Sequence, residues 1–301
     1  MTQSTVTPSA PIPASTIILI RHREEPMQVY LLKRSSRCDF MPGNYVFPGG
    51  TVDSEDKGRE FWKKHIDMDS GQVKNRLSGG LNIEDAMAHG IAAIRETFEE
   101  AGILLAHGDH KGDRNLEQLR EHRYRHRLPK AWLREQVLLK GWTLTFSGLA
   151  PWSHWITPKA RSKRYDTRFF MAFMPEDQEC RPDNRETTHG IWITPEKALQ
   201  GNLKGKVPLS PPAVVTMQEL LCYSDVGALK REVKTRAWGE EWIPRLVRTN
   251  AGGLLLLPWD PQYTSQEIKE DTRGLEKRKA PVGTSFSRLW YNGGIWMPLT
   301  P

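Results

Sequence analysis

Cysteine is scarce in this chain of 301 residues, which contains three cysteines, Cys38, Cys180 and Cys222. They lie far apart and show none of the spacings that hold structural zinc or define a disulfide framework. Their small number therefore excludes a disulfide-stapled secreted fold, and we expect a reducing, cytoplasmic setting.

Long hydrophobic runs are also absent. The longest apolar runs, such as residues 17–20 and 254–257, are far shorter than the roughly 20 residues that a helix needs to cross a bilayer. Residues 1–8 lack the basic and apolar stretches of a secretory signal. We therefore expect no membrane partner, and the short apolar runs predict β-strands instead.

Positive charge and tryptophan are plentiful. The formal net charge is +7, and the chain has 11 tryptophans. A basic surface suits a phosphorylated small molecule, whereas basic residues among aromatics can also stack on the bases of RNA. We therefore expect a nucleotide substrate. An RNA-binding or decapping protein is the weaker alternative, because the sequence contains no recognised RNA-binding motif.

Changes in composition divide the chain into three parts. We expect a disordered tail at residues 1–13, a main domain at 14–225 with a polar insertion at about 54–82, and a C-terminal extension packed on it at 226–301. One long helix with strands before and after it indicates an α/β or α+β sandwich. The expected strands lie at 16–20, 29–32, 143–146, 155–156, 167–173 and 191–194, and the expected helices at 83–101, 195–199 and 214–222, with two more between 115 and 139.

The long helix at residues 83–101 carries the residues best suited to chemistry. Asn82 is a suitable N-cap and Gly102 a suitable stop. On a helical wheel, Glu100 falls about 40° to one side of Glu96 and Glu99 about 60° to the other. The opposite side forms an apolar stripe that should be buried, made of Met87, Ile91, Ile94 and Phe98.

Three carboxylates at this spacing suit a hard divalent cation. Mg²⁺ and Mn²⁺ prefer oxygen ligands, and carboxylates that converge repel one another unless a cation lies between them. Such a metal can polarise a phosphoryl oxygen and activate water. The plainer alternative is a solvated acidic face, and the surrounding sequence decides between the two.

That surrounding sequence resembles a known family. The segment RETFEEAGI at residues 95–103 resembles the second half of the Nudix signature, and FPGG at 47–50 resembles its opening. Further segments are similar to the Nudix subfamily that contains the mammalian peroxisomal acyl-coenzyme A diphosphatase. They are LLKRS at 31–35, WITP at 155–158, YDTRFF at 165–170 and WITP at 192–195.

The resemblance implies a Nudix-type α/β/α sandwich with a mixed β-sheet and an insertion that splits the signature. It also implies roles for individual residues. The first Glu of the signature is absent at its usual distance from Arg95, and Asp53, Asp56 or Glu84 is a candidate to replace it. The implied metal ligands are Glu96, Glu100, Glu99 and the carbonyl of Gly50; the implied catalytic residues are Glu99, Arg95 and Glu186; and the implied substrate-binding residues are Arg34, Phe47 and Arg168.

The expected function follows from this resemblance. It is metal-dependent hydrolysis of the pyrophosphate bond of a nucleoside diphosphate derivative, with Mg²⁺ or Mn²⁺ as cofactor. Coenzyme A or acyl-CoA would give 3′,5′-ADP and (acyl-)phosphopantetheine. The alternatives are an ADP-ribose or NADH-type pyrophosphatase and a non-catalytic nucleotide-binding module. A homodimer is a further expectation. The basic segment around Arg161, Lys163 and Arg164 is a second candidate for phosphate contacts.

Overall fold

A computed structural model describes residues 9–22, 26–108, 114–268 and 270–300. Within these ranges the strands are β1 (Ile12–Arg21), β2 (Gln28–Arg34), β3 (Tyr45–Val46), β4 (Gly49–Thr51), β5 (Ala106–His107), β6 (Thr143–Leu144), β7 (Ala150–Ile156), β8 (Tyr165–Phe173), β9 (Thr187–Ile193), β10 (Glu241–Trp242), β11 (Arg245–Thr249), β12 (Gly252–Leu256), β13 (Arg288–Asn292) and β14 (Ile295–Leu299). The α-helices are α1 (Arg59–Trp62), α2 (Ser70–Leu77), α3 (Ile83–Ala101), α4 (Arg114–Arg125), α5 (Trp132–Lys140), α6 (Pro195–Leu203), α7 (Pro211–Leu220), α8 (Val226–Thr235) and α9 (Thr272–Lys277).

The central sheet is mixed and has the order β10-β7-β8-β1-β2-β3. β1 runs parallel to β8 along nine residue pairs, but it pairs with β2 only at its C-terminal end. The N-terminal half of β1 pairs instead with β4, and β2 pairs with β9. β1 and β2 therefore separate, and the FPGG segment that leads into β4 lies beside β1.

Two hydrophobic cores lie on opposite faces of this sheet. Residues alternate along a strand, so Ile17 and Leu19 of β1 enter the first core, whereas Ile18 and Ile20 enter the second. Helix α3 packs on the first face, and α6, α7 and α8 pack on the second. The predicted α/β sandwich with a mixed sheet is confirmed.

Helix α3 has the predicted bounds, and its ends explain why. The Oδ1 atom of Asn82 accepts the backbone N–H of Asp85 at 2.9 Å, which caps the first turn. Gly102 ends the helix in the left-handed region, with φ of 73°. The predicted apolar stripe is fully buried in the first core.

The insertion is folded and packs on α3. It contains a 3-10 turn at Ser54–Asp56 followed by α1 and α2. Trp62, Val73 and Leu77 are buried in the first core, although the surrounding sequence is polar. The backbone N–H of Gly58 donates to a carboxylate oxygen of Glu84 at 3.3 Å, so the segment leaves and re-enters the domain at one place.

The C-terminal extension forms a second, antiparallel sheet in the order β11-β12-β13-β14. Leu255, Leu289 and Trp296 belong to the second core, and the other face of the sheet packs on α9 in a third core. The side chain of Asn202 in α6 donates to the backbone carbonyl of Trp296 at 2.8 Å. The extension is thereby joined to the rest of the chain.

Some expectations differ from the structure. Residues 1–8 of the expected disordered tail lie outside the described residues, but residues 12 and 13 belong to β1, because they pair with the start of β8. The strand expected at 143–146 stops at Leu144, and a 3-10 turn follows. Helices α8 and α9 were not predicted. No helix of the described part is long and apolar enough to cross a membrane. All three cysteines are unpaired, and the cytoplasmic setting stays a prediction.

Candidate active site

A cavity of about 1380 Å³ lies on the second face of the central sheet. Thr16 of β1 and Thr167 and Phe169 of β8 line it. The last two turns of α3 reach the same cavity from the edge where β4 lies, and they contribute the side chains of Glu96, Glu99 and Glu100. The three predicted carboxylates therefore all line one cavity.

Two glycines bring the backbone of β4 against two of these carboxylates. The N–H of Gly49 donates to Oε2 of Glu100 at 2.9 Å. A Cβ atom on Gly50 would lie 2.3 Å from Oε1 of Glu96, so a larger residue there would displace this carboxylate. Glycine at residue 50 therefore lets the carboxylate lie directly against the backbone of β4.

Arg95 fixes the position of this acidic group. Its Nε and Nη2 atoms donate to the two carboxylate oxygens of Asp56 at 2.8 and 2.9 Å, and its Nη1 donates to Glu96 at 2.9 Å and to Glu99 at 3.4 Å. Nη2 also donates to the carbonyl of Thr51 at 2.8 Å. A bidentate guanidinium–carboxylate pair is strong and directional, so Arg95 orients its neighbours.

Of the three acids considered for the missing position of the signature, Asp56 returns to α3. It is 1% exposed, and it accepts hydrogen bonds from Arg95 instead of facing the cavity beside the other carboxylates. Asp53 lines the cavity and lies 3.9 Å from the ammonium group of Lys130. Glu84 is exposed, and its carboxylate accepts the backbone N–H of Gly58 in the insertion. Asp56 stands six residues after Gly50, the spacing of the signature, so counting forward from Gly50 is the signal that could have separated it from the other two candidates.

Burial makes the carboxylates of the cavity hard to ionise. It raises the pKa of Glu96 to about 7, against the opposing effect of the neighbouring Arg95 guanidinium. Burial and the charge of Glu96 also raise the pKa of Glu100 well above its usual range, although the Gly49 N–H favours the ionised form. Two adjacent buried acids that repel each other bind a cation favourably, because it stabilises both charged forms.

Glu99 is oriented differently from the other two. Its Oε1 atom accepts the indole N–H of Trp132 at 2.6 Å, and Trp132 also packs against the ring of Phe98 at 4.8 Å. Among the described residues no group of three His, Cys, Asp or Glu side chains is arranged to hold a metal ion. Glu96 and Glu100 lie against β4, whereas Glu99 is held at the side by Trp132. Nothing in the sequence marked Trp132.

Three other predicted residues lie around the cavity. Arg34 lines it, donates to the carbonyl of Phe40 at 2.9 Å, and lowers the pKa of Glu100 through its charge. Phe47 is buried at the wall, where its ring meets that of Phe169 edge-on at 6.3 Å. Glu186 is exposed on the loop before β9 and lines the cavity.

Arg168, which was predicted to bind substrate, does not line the cavity. Because Thr167 and Phe169 face the cavity, Arg168 between them points to the other face of the sheet. There it lies over the ring of Trp238 at 5.0 Å and donates to the carbonyl of Gly79 at 3.1 Å.

In the nearby basic segment, too, not every residue lines the cavity. Arg161 and Lys163 line the cavity. Arg164 is buried, and it donates to the backbone carbonyls of Thr157 at 3.0 Å and Ser9 at 2.9 Å. Only the first two are therefore available for phosphate contacts.

The fold and the acidic helix together define the class of protein, a Nudix hydrolase. The chain matches the family model of the NUDT19 Nudix domain over residues 5–220. Since the match covers more than half of the chain, the chain belongs to this family. The prediction of a Nudix enzyme that acts as a diphosphatase is confirmed.

Relatives and solved structures agree with this assignment. The chain is 29% identical to "Acyl-coenzyme A diphosphatase NUDT19" of Xenopus laevis over 271 residues, which cover 78% of this chain and 71% of the relative. It is also 29% identical to the Homo sapiens protein of the same name over 325 residues, covering 94% and 83%. The crystal structure of a Nudix hydrolase from Alicyclobacillus acidocaldarius has a TM-score of 0.60, 21% identity, and coverage of 77% of this chain and 99% of that chain. This likeness supports the fold.

Proposed function

We propose that this diphosphatase hydrolyses the pyrophosphate bond of coenzyme A or acyl-CoA and uses Mg²⁺ or Mn²⁺. The observation that carries the proposal is the pair of mutually repelling carboxylates of Glu96, which is half-buried, and Glu100, which is buried, at the wall of a large cavity. The names of the relatives of Xenopus laevis and Homo sapiens supply the substrate class.

The residues present fit a divalent cation. Mg²⁺ is usually bound by one or two carboxylates together with water and substrate phosphate rather than by a complete protein cage. Glu96 and Glu100 supply two carboxylates, and the carbonyl of Gly50 is a further candidate ligand. When bound, such a cation polarises a phosphoryl oxygen and neutralises the charge on the leaving phosphate.

The side chains of this chain perform the remaining tasks. Arg95 holds Glu96 in place, and Trp132 holds Glu99. Arg34 is placed to neutralise the pyrophosphate group of the substrate. Glu186, on the loop at the cavity wall, is the candidate to take a proton from the attacking water. Water adds to one phosphorus, and the bridging bond breaks to give 3′,5′-ADP and (acyl-)phosphopantetheine.

A substrate panel tests the proposal. The purified protein is incubated with coenzyme A, ADP-ribose, NADH and dinucleoside polyphosphates, each with Mg²⁺, with Mn²⁺ and with EDTA, and the products are identified by mass. We expect 3′,5′-ADP from coenzyme A, loss of turnover in EDTA and recovery when metal is restored. Turnover of ADP-ribose alone would replace the proposed substrate, and unchanged turnover in EDTA would refute the metal requirement.

A further inference from the structure

One wall of the cavity comes from outside the region that matches the Nudix domain. The match ends at residue 220, whereas five residues beyond it line the cavity. Each of these described residues is uncharged. They are Pro244, Leu246, Leu255, Tyr291 and Trp296.

The shape of this wall is set by the C-terminal sheet. Leu246 of β11 is opposite Leu255 of β12, and Leu255 is opposite Leu289 of β13. Leu255 and Trp296 are 4% and 5% exposed, so the packing of the second core holds them in place. Tyr291 is 43% exposed, and its ring lies 4.9 Å from that of Trp296.

This wall continues an apolar surface of the central sheet. Trp155 of β7 and Phe169 of β8 line the same cavity and belong to the same core as Leu255. The cavity thus has an acidic part at the end of α3 and an apolar part between the two sheets. Its volume of about 1380 Å³ exceeds the roughly 300–1,000 Å³ that is typical for one small ligand.

We propose that the apolar wall binds the acyl chain of the substrate, while the end of α3 binds its pyrophosphate. This inference rests on the function proposed above and adds a determinant of specificity to it. Aliphatic Leu246 and Leu255 offer no hydrogen bonds to the polar edge of an adenine, but they match a hydrocarbon chain. The adenosine 3′-phosphate end has a better match elsewhere in the cavity, where Lys163 lies 5.7 Å from the ring of Tyr165.

Preference for chain length tests the inference. The quantity measured is kcat/KM for free coenzyme A, acetyl-CoA, octanoyl-CoA and palmitoyl-CoA, in the wild type and in Leu246→Trp and Leu246→Ala. In the wild type we expect kcat/KM to rise with chain length. Leu246→Trp narrows the apolar part, and we expect the palmitoyl-CoA to coenzyme A ratio of kcat/KM to fall about tenfold or more, as occurs when an apolar pocket loses room.

Val247→Trp is the matched control. Val247 neighbours Leu246 in β11 but packs against the third core, on the face of the sheet away from the cavity. The same bulky side chain there should leave the ratio unchanged. The thermal midpoint of each variant separates a change in selectivity from a loss of folding, and Leu246→Ala provides a variant that widens the site instead of filling it.

The outcomes separate the two proposals. If the wild type hydrolyses all four substrates equally and neither Leu246 variant changes the ratio, the acyl site is refuted and the coenzyme A function stands. If no coenzyme A species is hydrolysed but ADP-ribose is, both fail. If Val247→Trp lowers the ratio as much as Leu246→Trp, the effect belongs to the sheet as a whole and the acyl site is again refuted.

Discussion

Two buried arginines in different parts of the molecule are held in nearly the same way. Arg95 binds both oxygens of Asp56 at 2.8 and 2.9 Å, and Arg288 in the C-terminal sheet binds both oxygens of Asp260 at 2.7 and 2.8 Å. Their side chains are 5% and 2% exposed. Geometry and burial therefore do not distinguish the arginine of the candidate site from a structural one.

The charges around the two arginines do differ. Arg288 also contacts Glu270, which in turn pairs with Arg278, so two carboxylates face two guanidinium groups. Around Arg95 the carboxylates outnumber the guanidinium groups, which are those of Arg95 itself and of Arg34 near Glu100. The carboxylates there are Asp56, Glu96, Glu99 and Glu100. A buried charge without a partner is costly, and this surplus of carboxylates is the feature that supports the proposed cation site.

The largest expected effect is the loss of activity when one of the excess charges is removed. Glu100→Gln keeps an oxygen that can accept the Gly49 N–H but removes a charge, and we expect kcat/KM to fall at least about a hundredfold. Glu270→Gln makes the same change in the balanced network, whose members do not line the cavity, and should leave kcat/KM within roughly twofold. Steady-state kinetics with the preferred substrate measures both. Wild-type turnover by Glu100→Gln would contradict the assignment of the cation site.

The next effect concerns stability, and it should be shared by the two regions. Asp56→Asn and Asp260→Asn each remove one partner of a buried ion pair, and we expect the free energy of unfolding to fall by about 3–5 kcal/mol. Urea denaturation measures this loss. Only Asp56→Asn should also lower kcat/KM, by about 10–100-fold, because Arg95 orients Glu96. Equal activity losses in both variants would show that Arg95 acts through stability alone.

The smallest effect is a dependence of stability on pH in the absence of metal. The pKa of Glu96 is raised from its ordinary 4.5 to about 7 in the folded protein. Its contribution to stability is therefore fully present below pH 4.5 and is lost as the pH rises through about 7. In EDTA, Glu96→Gln should raise Tm by a few degrees at pH 8 relative to wild type and by less at pH 5.

Metal and a matched variant complete this test. Mg²⁺ should raise the Tm of the wild type at pH 8 and not that of Glu96→Gln, because a ligand that binds only the folded state stabilises it. Glu270→Gln, which breaks a balanced ion pair, should lower Tm at both pH values. A gain from Glu96→Gln that is the same at pH 5 and pH 8 would rule out ionisation of Glu96 as its cause.

The sequence predicted the local features well because they depend on neighbouring residues. The bounds of α3 follow from the cap at Asn82, the apolar period and the stop at Gly102. Arg168 was misplaced because the strand pattern reveals the alternation but not which face borders the cavity. That depends on the pairing of β8 with β1 and on the position of the C-terminal sheet. The contact of Trp132 with Glu99 joins residues that are 33 positions apart, and no periodicity of the sequence predicts such a contact.

The hydrogen bond between Gly58 and Glu84 affects how far the insertion can vary in length among related chains. Because its two ends meet, the chain between them can change in length while α3 stays in place, since loop length alone costs little, provided that side chains equivalent to Trp62, Val73 and Leu77 still fill the first core. A motif search that demands a fixed number of residues between the two halves of the signature would pass over such chains. A search for an acid that is placed to pair with the arginine of the second half, as Asp56 pairs with Arg95, would find them.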